Sequence, residues 1–116
     1  MDREEMRQQT KKFALRIIRM IASLPKSAVG DVLGRQVLKS GTSIGANYRE
    51  AGRASSKRQF TTTLEISLRE ADETMFWLEL IVDSETLPKR RLSSLIKECD
   101  EIIAILVATI KSSKGN

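Results

Sequence analysis

Residues 92–110 read LSSLIKECDEIIAILVATI, and this stretch decides the fold. Leu92, Leu95, Ile96, Cys99, Ile102, Ile103, Leu106 and Ile110 recur at spacings of three and four. That is the apolar stripe of one helix face, widened by Ile105 and Val107. Strand-like alternation of useful length is absent from the whole chain, so the class is all-α. Thr86 is positioned to cap this last helix, with Pro88 in its first turn, which predicts a helix over about 88–113.

Three further helices precede it. Met6, Phe13, Ile17, Met20 and Leu24 mark a stripe over about 3–23, with Ile18 and Ile21 broadening it. Pro25 breaks that helix and Ser27 caps the next. Val29, Leu33, Val37, Ser40, Ile44 and Ala51 give the inner face of a helix over about 28–54. Gly41 and Gly45 share a face of it, beside Ser40 and Ala46, a smooth strip that another helix can approach closely. Ser55 or Ser56 caps a third helix over about 56–84, with Phe60, Leu64, Ala71, Met75, Leu78 and Val82 inward. Short connections favour antiparallel neighbours. The expectation is a single domain over 1–116, an antiparallel up-down-up-down four-helix bundle whose middle helices run ~40 Å.

Composition narrows the chemistry. Among 116 residues there is no histidine and one cysteine. Ser-His-Asp catalysis, His-ligated metals, internal disulfides and Cys-rich zinc sites are therefore excluded. No nucleophile with an activating base is evident, so no catalytic residue, no cofactor and no metal is assigned. Glu50, Glu70 and Glu73 keep an all-carboxylate cation site open as a third-ranked alternative. The charged opening has no apolar core of a signal peptide, and the longest apolar run, residues 102–108, is too short to span a bilayer. Together with the free Cys99, this predicts a cytoplasmic protein with no membrane partner.

The net charge of +5 is unevenly placed. Residues 1–58 hold 13 basic and 5 acidic side chains, net +8; residues 59–116 hold 7 and 10, net −3. In an antiparallel bundle the start of the first helix lies near the end of the second. Arg3, Arg7, Lys11 and Lys12 would then join Arg49, Arg53, Lys57 and Arg58 in one basic end suited to RNA or DNA backbone. Stacking aromatics beside these groups are nearly absent apart from Tyr48, so the sequence argues against single-strand base stacking, and it holds no recognised DNA- or RNA-reading motif. A rival reading has the same charges serve self-assembly and docking to another protein. The apolar arcs of the third and fourth helices, with Phe76, Trp77, Leu80 and Ile105, predict a homo-oligomer interface. Asn47 is expected to point partly inward and to join Glu50, Glu70 and Glu73 in a buried polar network that fixes helix register.

Residues 35–51, RQVLKSGTSIGANYREA, carry a resemblance. So do LPK at 24–26, SSKRQF at 55–60, LREADET at 68–74 and WLEL at 77–80. Together they resemble the small four helix bundle protein family, bacterial reading frames first noticed in intervening sequences of 23S ribosomal RNA genes. The resemblance covers nearly the whole chain. It implies an antiparallel bundle assembled as a ring-like homopentamer, and no enzymatic activity. It also implies a fold similar to the accessory variability protein of diversity-generating retroelements, which binds a reverse transcriptase and nucleic acid. Asn47, Arg49, Glu50, Glu70 and Glu73 match the family motif.

Overall fold

The structure, a computed structural model, describes residues 1–115. Four helices follow one another: α1 (Arg3–Ile21), α2 (Ala28–Ala51), α3 (Lys57–Asp83) and α4 (Lys89–Gly115). They pack as a four-helix bundle with extents of 46 × 20 × 19 Å. Of the neighbouring helices, α2 and α3 share the most extensive contact and α1 and α4 the least.

Local chemistry sets the helix starts. Asp2 accepts from the Glu5 amide at 2.8 Å, and the Glu5 carboxylate accepts from the Asp2 amide at 3.2 Å, a reciprocal capping box. Ser27 Oγ accepts from the Gly30 amide at 3.0 Å, and Ser56 Oγ from the Gln59 amide at 3.1 Å. Thr86 does not play this part for α4. That helix begins at Lys89, beyond reach of a cap at Thr86, and the Thr86 hydroxyl pairs with Ser84 Oγ at 2.8 Å.

Helix ends fall short of two expectations. α1 stops at Ile21, where Ser23 and Leu24 amides turn back to Met20 and Ile21 carbonyls, each at 3.0 Å. α2 stops at Ala51 because Arg53 and Ala54 amides close tight turns on Glu50 and Ala51 carbonyls. Between α3 and α4, Glu85 adopts φ 59°. The Thr86 amide reaches the Ile81 carbonyl and the Glu85 amide the Val82 carbonyl, both at 3.0 Å, a Schellman end with glutamate in glycine's usual place.

The core is the predicted one on α1 and α4. Phe13, Ile17, Leu92, Cys99, Ile102 and Leu106 are fully buried, with Leu64 and Leu78 from α3. Each such side chain contributes roughly 1.5–3 kcal/mol over its exposed state. Three expectations fail. Val29 is 53% exposed, Ile18 47% and Val107 40%. One residue along a helix is a rotation of about 100°, so burial of Gly30 turns Val29 outward.

The glycine strip of α2 receives α1. A Cβ at Gly41 would lie 3.0 Å from Ile17 Cγ1, and one at Gly45 would lie 3.1 Å from Thr10 Oγ1. Small polar groups set the other registers. Thr74 Oγ1 donates to Ser40 Oγ at 2.9 Å and Ser67 Oγ to the Ile44 carbonyl at 2.8 Å, both buried between α2 and α3. Cys99 Sγ donates to the Ala71 carbonyl at 3.5 Å, and Thr61 pairs with Ser113, joining α3 to α4. Arg16 ties α1 to α4 through Glu98 at 2.6 Å and Ser94 at 2.9 Å.

Candidate functional site

One end of the bundle gathers the start of α1, the end of α2, the start of α3 and the end of α4. Its connection, residues 52–56, is held by Gln59. The Gln59 side-chain oxygen accepts from the Ser55 amide at 2.8 Å and from Ser55 Oγ at 2.9 Å. This clasp and the Ser56 cap present Lys57 and Arg58 as the first two residues of α3. That first turn has no acid, whereas α1 opens with Glu4 and Glu5 and α2 with Asp31. Cations at a helix N-terminus oppose the macrodipole at about 0.3–1 kcal/mol each. Arg49, Arg53, Lys57 and Arg58 are all exposed, and none forms an ion pair among the described residues.

Beside them opens a cleft of about 820 Å³, lined by Arg3, Lys57, Phe60, small residues of the α2–α3 connection and the last turns of α4. The Arg3 guanidinium lies 4.7 Å from the Phe60 ring centroid. Two residues far apart in sequence thus make a cation–π pair at the basic end. Tyr48 is not an available stacking surface, since it is 7% exposed and belongs to the core. Burial raises its phenol above the usual value, while Arg3 and Arg7 pull it down and Asp2 pushes it up. These charges place the start of α1 against the end of α2.

The other predicted basic residues divide. Arg7 is half-buried and pairs with Glu4 at 3.4 Å. Lys11 is exposed on the same face as Arg7, further up α1. Lys12 faces elsewhere, lining a groove with Glu4, Glu5 and Glu98. The basic end is therefore built from Arg3, Arg49, Arg53, Lys57 and Arg58, with Arg7 and Lys11 above it and Lys12 on another face.

The expected Asn47 network does not form. Asn47 Nδ2 donates to the Ser43 carbonyl of its own helix at 2.9 Å, and Glu50 and Glu73 are exposed. Asn47 sits at the margin of the α2–α3 seam, and the register bonds run through Ser40, Ser67 and Thr74 instead. Glu70 is half-buried, with its carboxyl held above the usual range by burial and then by Glu73, against Lys39 and Arg69. Among the described residues no three acidic or thiol groups converge, so Glu50, Glu70 and Glu73 do not assemble the alternative cation site.

Phe76 and Trp77 meet edge to face at 5.1 Å, and Phe76 is 52% exposed. Leu80 is half-buried one turn on. Trp77 lies seven residues from Glu70, hence on the same face, and Glu70 feels Lys39 of α2. Ile105 lies seven residues from Glu98, which bonds α1. Trp77, with Leu80 one turn on, therefore belongs to the α2–α3 flank and Ile105 to the opposite α1–α4 flank, while Phe76, about 100° round from Trp77, points out to solvent.

Among the described residues no helix is long and apolar enough to cross a membrane. A family model described as 23S rRNA-intervening sequence protein matches residues 3–108. No curated protein matches the chain. Among solved structures, the chain is similar to a protein of unknown function from the S23 ribosomal protein family of Bacteroides thetaiotaomicron VPI-5482. The two are 38% identical, the match covers 91% of this chain and 98% of the other, and the TM-score is 0.86.

Proposed function

The chain belongs to the 23S rRNA-intervening sequence protein family, and from that premise we propose a non-enzymatic, oligomeric bundle that binds nucleic-acid backbone through its basic end. One observation carries this reading. Arg49, Arg53, Lys57 and Arg58 are exposed, clustered around one connection and outside any ion pair among the described residues. Placing cations at the start of α3 costs stability that a bound anion would offset. Binding through phosphates is sequence-independent and salt-dependent. Neutralising four phosphates of a duplex would give a slope of log affinity against log salt near ~−3.6 per subunit. A salt titration of binding to mixed RNA and duplex DNA tests it. Affinity that is absent at low salt, or flat with salt, removes the reading.

Oligomerisation has its own support. Phe76, Val32 and Val107 are apolar and exposed on different helices. Trp77 and Leu80 occupy one flank and Ile105 the opposite one, with Phe76 exposed beside Trp77, an arrangement that suits a head-to-tail contact between copies. Such contacts close as rings when the rotation permits, and the proposed ring is a homopentamer. Light scattering should give about five times 13.0 kDa, unchanged in high salt if apolar contact holds the ring. A mass that collapses in high salt would instead support the rival reading, in which the basic groups serve self-assembly and docking to another protein. The buried free Cys99 suits a reducing cytoplasm.

A further inference from the structure

The geometry points to an unpaired nucleotide as the occupant of the cleft at the basic end, with its base stacked on Arg3. This rests on the nucleic-acid reading above and goes beyond it, because backbone binding alone needs no cleft and no aromatic group.

The platform comes first. Phe60 is half-buried and packed against the core, so its ring is fixed. Arg3 lies over that ring at 4.7 Å and is itself exposed. The guanidinium carbon therefore has an aromatic ring on one side, while the side chain remains exposed to a stacking partner. Nucleobases are recognised by stacking on aromatic rings and on guanidinium planes. A lysine in place of Arg3 would keep the charge and lose the plane.

The cleft supplies the rest. Its volume of about 820 Å³ lies within the range of small-ligand sites, roughly 300–1,000 Å³. Ala51, Gly52, Ala54 and Ala108 leave its walls unfilled by long side chains. Ser55, Ser56 and Thr109 present hydroxyls, and each hydroxyl that donates within the chain keeps lone pairs to accept from a base or ribose. Lys57 stands at the wall, with the acid-free first turn of α3 behind it, where a phosphate is favoured. A base within a duplex is stacked and paired, so it reaches such a site only at an unstacking cost; a single strand offers it freely. The selectivity is therefore for single-stranded RNA or DNA over duplex.

Fluorescence anisotropy with two probes tests this: a short unstructured oligouridylate carrying a 5′-phosphate, and a blunt RNA duplex of matched length. The variants are Arg3→Lys and Phe60→Leu. Expected is a loss of single-strand affinity of roughly fivefold to a hundredfold in each, the range set by one base stack. Duplex affinity and its salt slope should stay at wild-type values in Phe60→Leu, and in Arg3→Lys any loss on the duplex should be well below the loss on the single strand. If Phe60→Leu disturbs folding, the exposed Arg3→Lys change decides alone. Unchanged single-strand affinity in Arg3→Lys, or equal losses on both probes, overturns the inference and leaves the backbone reading standing. Wild-type protein that binds neither probe overturns both.

Discussion

Gly30, Gly34 and Gly41 of α2 differ only in what stands opposite their missing Cβ. Alanine at each gains about 1 kcal/mol of helix propensity over glycine. At Gly34 the new methyl would lie 3.1 Å from Leu24 Cδ1, the tip of a flexible, half-buried side chain. A small rotamer shift relieves it, so Gly34→Ala should stabilise by about 0.5 kcal/mol or more. At Gly41 the methyl meets Ile17 Cγ1 at 3.0 Å and Cγ2 at 3.1 Å. Ile17 is β-branched and fully buried, so neither contact can yield alone. Overpacking costs about 1–3 kcal/mol, leaving Gly41→Ala neutral to about 2 kcal/mol destabilised. At Gly30 the methyl falls 2.3 Å from the Pro25 carbonyl oxygen. The connection from α1 must move, and the Ser27 cap on the Gly30 amide is endangered with it. Gly30→Ala should lose about 2 kcal/mol or more, overpacking and a lost cap outweighing propensity. Urea denaturation of the three variants, at constant m, reads the order Gly34→Ala, Gly41→Ala, Gly30→Ala from most to least stable. A Gly30→Ala variant more stable than wild type would refute the close approach of α1 and its connection to α2.

Glu85→Gly should stabilise the protein by about 1 kcal/mol in the same assay, because glycine adopts positive φ without strain, while Glu85→Val should lose at least as much. Glu70→Gln should raise the melting temperature at neutral pH. The Glu70 carboxyl is held above its ordinary value, so the folded chain binds its proton more readily, and wild-type stability falls as pH rises through that window. The advantage of glutamine must vanish at acid pH, and a lower melting temperature at neutral pH would mean an attractive partner for the carboxylate. Burial, then neighbouring acids, push the Cys99 thiol up to about 12, so folded protein should resist thiol reagents and react only on unfolding. The unfolded thiol ionises first, so stability should decline above about pH 9, and Cys99→Ala should flatten that decline.

The bundle was legible because long apolar stripes carry their own phase. On α4 the spacing of Leu92, Leu95, Cys99, Ile102, Leu106 and Ile110 leaves one possible inner face, and all six are buried. Where the stripe is made of small residues the phase is lost. Val29 looks like the inner residue at the start of α2 because valine is apolar, yet Gly30 holds that line. The register bonds were hidden for a related reason. Ser40 is legible on the inner face of α2, but its partner Thr74, and Ser67 beside it, read as surface residues, whereas Asn47 offers the larger polar group. At the basic end the cations were visible as clusters, but Arg3 and Phe60 are 57 positions apart in the numbering, and only the antiparallel return of α2, which brings the start of α3 back beside the start of α1, joins them. Glu85 gave no signal, since the composition of a turn does not show which residue takes positive φ when glycine is missing.

Charge alone does not single out one end of the bundle. The opposite end also opens a helix with cations, Lys89, Arg90 and Arg91 in α4, and α4 has no acid in its first turn. Its cleft, about 310 Å³, holds Arg16, Arg19 and Arg91. The dipole argument applies to both ends equally. What separates them is whether an aromatic group stands beside the cations; of the cations at this opposite end only Arg16 is engaged in an ion pair among the described residues. Arg16 spends its guanidinium on Glu98 and Ser94, binding α1 to α4 where those helices meet least. Its removal would loosen the bundle, so that end is partly structural. No aromatic residue lines the smaller cleft. At the other end the register is set by Thr61 with Ser113 and by Lys114 with Glu65, and none of Arg3, Arg49, Arg53, Lys57 or Arg58 takes part. Arg49, Arg53, Lys57 and Arg58 are spare to the fold, and Arg3, held against Phe60, adds an exposed planar cation. The proposed binding would fall where cations can be given up without cost to the bundle, at the start of α3.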